Sequence, residues 1–242
     1  MHSNMNDLGR CAREIFCCLF LGSCGVSCAG ASSVAVGDLP DIATLQTTLS
    51  DTFFLDADGM AKVSRTTPYV GASSACAHTG AHVHFSNTGA PYTVNLYAPA
   101  DGVITGVTTC YDIGESDRYG IDMAIANDNG TSVIFEFSIE PQDGHPCTSG
   151  EANAFAQYIQ VTEGQTVSKG DVLGQMLKTD DGDDGAHVHY NLAKGDAFFC
   201  PNIFATSIVT QLSAIFGADS CGDTFTDSLC FQTTADERLI TE

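Results

Sequence analysis

Two six-residue phrases concentrate this chain's chemistry. Gly80-Ala81-His82-Val83-His84-Phe85 is echoed further on by Gly185-Ala186-His187-Val188-His189-Tyr190. With His78 they hold five of the seven histidines. Imidazole is the commonest metal ligand, and three of them hold zinc while leaving a position open for water. Side chains alternate along a strand, so both rings of a His-x-His pair project from one face. Two such strands side by side would gather the rings into one cluster. His82 and His84 share a face, so spacing alone does not separate them as candidate ligands.

The positioning elements must then be strands, and residues 67–197 supply them. Short alternating runs are split by Gly, Asn and Asp: His82–Phe85, Thr93–Tyr97, Gly102–Thr109, Ile121–Ala126, Ser132–Ser138, Tyr158–Val161, Val172–Met176 and His187–Leu192. With Asn-Gly and Lys-Gly turns between them, they predict a mainly β fold, a compact antiparallel β-sandwich or partly open barrel. No long helical pattern interrupts them, which disfavours a parallel sheet with crossover helices. Residues 32–66 form a lead-in with a helix candidate, Leu39 to Leu49. Its Asp56-Ala57-Asp58-Gly59 matches half a calcium loop but lacks the closing glutamate, and reads as a turn. Residues 198–242 read as a short Cys-rich helical tail. There Asn202 is predicted to cap a helix with the stripe Phe204, Ile208, Leu212 and Ile215.

The chain of 242 residues is 43% hydrophobic, enough for a real core. A net charge of -21 with only nine Lys and Arg excludes nucleic acid as a partner and argues against docking on anionic lipid. Residues 1–31 read as an export signal: Arg10 and Arg13 precede an apolar run, Ile15 to Val26, too short to span a bilayer. Glu14 fits that pattern poorly. Two processing routes are compatible with it. Leu21-Gly22-Ser23-Cys24 matches a lipobox, which would anchor a periplasmic or outer-membrane lipoprotein at Cys24. Ala29-Gly30-Ala31 matches a cleavage site that would release a secreted product. Beyond the leader stand Cys76, Cys110, Cys147, Cys200, Cys221 and Cys230, an even set that predicts up to three disulfides. None has the C-x-x-C spacing of a cysteine zinc site.

Several phrases together resemble the lysostaphin-like (LytM-type) zinc endopeptidase domain. They are His78-Thr79-Gly80-Ala81-His82, Tyr97-Ala98-Pro99-Ala100-Asp101-Gly102-Val103-Ile104, the hairpin-like stretch Val161 to Gly174, and Gly185 to Tyr190. The resemblance covers residues 75–193 and implies one zinc on an antiparallel β fold. By position it implies His78, His82 and His189 as metal ligands, with His82 standing where the family has aspartate. It implies His187 and Glu136 as the catalytic pair, with Glu136 standing where the family has histidine. A third imidazole still makes a zinc ligand, and a carboxylate can still take a proton from water. Glu136 leaves the apolar face of its strand, so it is either solvated or turned to the site.

The loop Thr179 to Gly185 carries Asp180, Asp181, Asp183 and Asp184. It reads as a solvated acidic loop, as a Ca2+ or second-metal site, or as a rim for basic substrates. The stretch Glu140 to Ala156 reads as an insertion over the groove, pinned through Cys147, and His145 within it as a surface residue. The leading functional expectation is a zinc-dependent hydrolase of peptides or cell-wall glycopeptide, with Glu136 as base and His187 facing the oxyanion. Two others stand beside it: a silent metal-containing binding module of the same fold, and a metal-dependent polysaccharide lyase.

Overall fold

The computed structural model describes residues 39–71, 78–113, 116–141, 147, 155–179, 185–217, 225, 228–231 and 233–240. The leader, Cys76, His145, the Asp180–Asp184 loop and Cys221 lie outside them. In chain order come α1 (Ile42–Thr47), α2 (Ala57–Met60), β1 (Val63–Thr67), β2 (Tyr69–Val70), β3 (Ala81–Phe85), β4 (Tyr92–Tyr97), β5 (Gly102–Ile113), β6 (Ser116–Asp128) and β7 (Thr131–Glu140). Then follow β8 (Thr166–Val167), β9 (Val172–Lys178), β10 (His187–Lys194), β11 (Ala197–Phe199), α3 (Thr206–Ser213) and β12 (Cys230–Phe231).

Alternation builds the main sheet. In β7, Val133, Phe135, Phe137 and Ile139 are buried while the residues between them are not. Ala81, Val83 and Phe85 of β3 repeat this, as do Val188 and Tyr190 of β10, beyond which Asn191, Leu192 and Ala193 are all buried. The strands pair in the order β1-β3-β10-β7-β6-β5-β8, with β11 also on β10; every pairing is antiparallel and the sheet stays open. The ribbon β4–β9 covers its apolar face, where Tyr119 OH donates to Gln175 O at 2.8 Å. Phe53, Phe54 and Leu55 enter this core from before β1, and Ile203, Phe204, Ile208 and Leu212 from after β11. Each such side chain contributes about 1.5–3 kcal/mol on burial. With one face buried, a slip of one residue would turn every histidine inward, so the core fixes the register of the opposite face.

Two local expectations are corrected. Tyr158–Val161 is not a strand: Ala156–Tyr158 is a 3-10 turn, and only Ile159 bridges, to Gly174. Asn202 does not cap a helix. Residues 201–205 stay outside any helix, with Ile203 and Phe204 buried and Ala205 N donating to Ser50 O, and α3 starts only at Thr206. The lead-in helix is shorter than its sequence pattern, starting at the Asp41 cap, whose carboxylate accepts from Ala43 N at 2.9 Å. Asp56 caps the single turn of α2. Two disulfides are present among the described residues, Cys110–Cys147 and Cys200–Cys230. The first ties β5 to the segment after β7. No helix among the described residues is long and apolar enough to cross a membrane.

Candidate metal centre

Register sets out the polar face in rows that run across the strands. Thr67, His82, His189, Ser138, Gly120 and Thr108 are successive cross-strand partners. Arg65, His84, His187 and Glu140 form a second row, and Asn191, Glu136, Asp122 and Gly106 a third. His78 arrives from outside the sheet, held by paired backbone hydrogen bonds with Val70. A cleft of about 490 Å3 opens over the first and third rows, lined among others by His78, His82, His189, Tyr111, Arg118 and Glu136.

Three of the five histidines converge. Ligand atoms of His78, His82 and His189 all lie within 4.8 Å of one another. His82 Nε2 is 3.2 Å from His78 Nε2 and 3.2 Å from His189 Nδ1. Nitrogens about 2.05 Å from a tetrahedral zinc stand about 3.3 Å apart, so the spacing fits. His84 shares their face but belongs to the next row, its ring centroid 5.2 Å from that of His187.

The rings' other nitrogens favour the same conclusion. Glu136 Oε2 accepts from Asn191 Nδ2 at 2.9 Å, which turns Asn191 Oδ1 toward His189 Nε2 at 3.2 Å. An amide oxygen only accepts, so His189 carries its proton on Nε2 and presents a lone pair at Nδ1. His82 Nδ1 lies 3.1 Å from Thr67 Oγ1, which leaves its Nε2 for the centre when Nδ1 donates. Such outer partners orient metal-binding imidazoles. Burial holds the rings neutral. It pushes His84 and His189 down to about 3 and His187 down to about 4. Burial and then the neighbouring rings put His82 well below its usual value, and burial also lowers His78. Neutral, converging lone pairs repel one another and bind a cation.

The catalytic candidates occupy different rows. His187 Nδ1 meets Gly185 O at 2.6 Å, and a carbonyl only accepts, so the ring's lone pair sits on Nε2. Glu136 lies across from Asn191, not across from a ligand. The residue across from His189 is Ser138. Asp122 faces Glu136 from β6, and burial, then that carboxylate, raises its pKa to about 6. Thr67, Asn191, Ser138, Arg118 and Tyr111 escaped the sequence reading. Asn191 carried a signal, being the third member of the alternation His187-x-His189-x-Asn191; the others are brought in by strands with no motif.

No family model and no curated protein matches the chain. Among solved structures it is similar to LytU, at 18% identity over 62% of this chain and 85% of that one, with a TM-score of 0.34. It is also similar to lysostaphin in its solution structure, at 16% identity over 72% of this chain and 60% of that one, with a TM-score of 0.36. Both superpositions are loose, and what the site can do is decided by its own side chains.

Proposed function

We propose that this chain is an exported zinc-dependent hydrolase that cleaves peptide bonds, in peptidoglycan or in exposed peptides. The observation that carries this reading is the imidazole triad, with His82 Nε2 3.2 Å from both His78 Nε2 and His189 Nδ1 and the outer nitrogens of two rings engaged. His78, His82 and His189 would hold the ion. When bound, it would lower the pKa of a water and polarise a carbonyl.

The chain's own groups divide the remaining work. Neutral His187, with its lone pair on Nε2, takes a proton from water and returns it to the leaving nitrogen. Glu136 acts through Asn191, fixing the tautomer of His189. This proposal departs from the expectation from sequence, in which Glu136 was the base and His187 faced the oxyanion. The disulfides fit an oxidising, extracytoplasmic setting.

One observation favours a second reading, a metal-holding module without turnover: no carboxylate or histidine of β7 stands directly across from a ligand. Purified protein is expected to hold one zinc per chain and to cleave peptidoglycan or an unstructured peptide, with both lost in chelator. Metal present without cleavage across both substrates selects the binding module. Protein that stays metal-free in excess zinc sinks both readings.

A further inference from the structure

The cleft holds a hydroxyl arrangement that the three-histidine centre leaves unexplained. Tyr111 OH donates to Ser138 Oγ at 2.6 Å, and Arg118 Nη1 donates to the same oxygen at 3.3 Å. Arg118 Nη2 is held by Glu140 at 3.0 Å, and its side chain is only 13% exposed. Tyr111 reaches this point through a bulge: β5 places one more residue than β6 between the pairs Thr108–Gly120 and Tyr111–Arg118. Bulges re-aim side chains in this way. The tyrosine ring then lies against Gly120, whose added Cβ would stand 3.4 Å from Tyr111 Cε1.

The count of protons is decisive. A serine oxygen accepts two hydrogen bonds, and a guanidinium only donates. With Tyr111 and Arg118 both donating, Ser138 Oγ is filled as an acceptor and its own hydrogen must go elsewhere. Among the described residues nothing accepts it. Were the two hydroxyls to exchange roles, Ser138 would donate to Tyr111 and the phenol would keep a spare hydrogen. In either case one O–H is left for the cleft, beside an arginine charge that polarises it. Ser138 is also the cross-strand neighbour of His189. The surplus donor therefore sits next to the metal centre.

We propose that Ser138, polarised by Tyr111 and Arg118, donates a hydrogen bond to the substrate oxygen that gains negative charge during hydrolysis. This rests on the hydrolase reading above. As the water oxygen bonds to the carbonyl carbon, the π pair moves onto the carbonyl oxygen, and the water's proton goes to His187. That pair then returns, the C–N bond breaks with its electrons on nitrogen, and nitrogen takes the proton back. Ser138 meets the charge at its maximum, when a donor contributes most. Ser138 is the catalytic residue here; Tyr111 and Arg118 are positioning residues.

The test uses zinc-loaded full chain in four forms: wild type, Ser138→Ala, Ser138→Thr and Tyr111→Phe. Zinc content is measured on each. Ser138→Ala is expected to lower kcat about 100-fold or more, with KM changed by less than about threefold, as for loss of an oxyanion donor. Ser138→Thr keeps the hydroxyl and recovers most of kcat. Tyr111→Phe loses less than Ser138→Ala, and adding it to Ser138→Ala costs little more, because it acts through that hydroxyl. Binding of inorganic phosphate, a tetrahedral anion, is measured by calorimetry and weakens about tenfold in Ser138→Ala. Full activity and unweakened phosphate binding in Ser138→Ala overturn the donor while leaving the hydrolase standing. A larger loss in Tyr111→Phe than in Ser138→Ala overturns the choice of serine. A wild type that binds zinc and cleaves nothing, yet binds phosphate through Ser138, overturns the hydrolase and keeps the donor.

Discussion

Gly80→Ala should separate the metal centre from the fold. A Cβ at position 80 would stand 2.1 Å from both Cε1 and Nε2 of His189. Carbon atoms in comfortable contact stand about 3.5–4.0 Å apart, so the ring must retreat by more than about 1 Å. The obstructed atoms are the far end of a side chain, and the ring can rotate away at small cost to the sheet. A zinc ligand has no such freedom, since its bond length is fixed to about 0.2 Å. Retreat also breaks the hydrogen bond from His189 to Asn191. Loss of an outer partner alone lowers metal affinity about 10- to 100-fold, and displacing the ligand itself should exceed that range. Zinc affinity is measured by competition with a chromogenic chelator, and stability by urea unfolding in chelator. The expected result is affinity down by more than about 100-fold, with metal-free stability within about 1 kcal/mol of wild type. Wild-type zinc affinity in Gly80→Ala would show that His189 is not a ligand.

The metal-free protein should be acid-sensitive. His84, His187 and His189 lie at about 3, 4 and 3 when folded, against 6.5 in an open chain. The unfolded state therefore binds more protons below 6.5, and stability present above that pH is lost as pH falls. From pH 7.5 to 5.5 each ring costs about 1.4 kcal/mol, while Asp122, raised to about 6, returns somewhat under 1 kcal/mol. A loss of at least about 3 kcal/mol, to which His82 and His78 add in the same direction, should appear in urea midpoints, and a flat profile would contradict neutral burial. Glu136→Ala should weaken zinc about 10- to 100-fold by freeing Asn191, whereas a base-only role would leave affinity untouched and lower kcat alone. Phe54→Ala removes a fully buried ring packed on Phe137 and Tyr190, and should cost about 3–5 kcal/mol by urea unfolding with zinc stoichiometry unchanged.

Much of the centre was legible before any folding. Alternation requires both rings of each His-x-His phrase to share a face, and the apolar residues between them state which face is buried. That is local geometry, and β3 and β10 obey it. Elsewhere local pattern yielded to packing. Asn202 had the composition of a cap, but Ile203 and Phe204 beside it are buried and the helix starts only at Thr206. Tyr158–Val161 had the look of a strand, but only Ile159 forms a β-bridge, to Gly174.

The chain order of residues, then, determined that imidazoles would gather on one polar face and that a substantial apolar core would lie beneath it. Tertiary structure alone decided which imidazoles meet, because cross-strand register separates His82 from His84 by a whole row. It also chose their attendants. Glu136, Asn191, Tyr111, Arg118 and Ser138 are brought to one cleft by strand pairing and one bulge. Hydrogen-bond direction depends on which partners face each other, and that information exists only once the strands have paired.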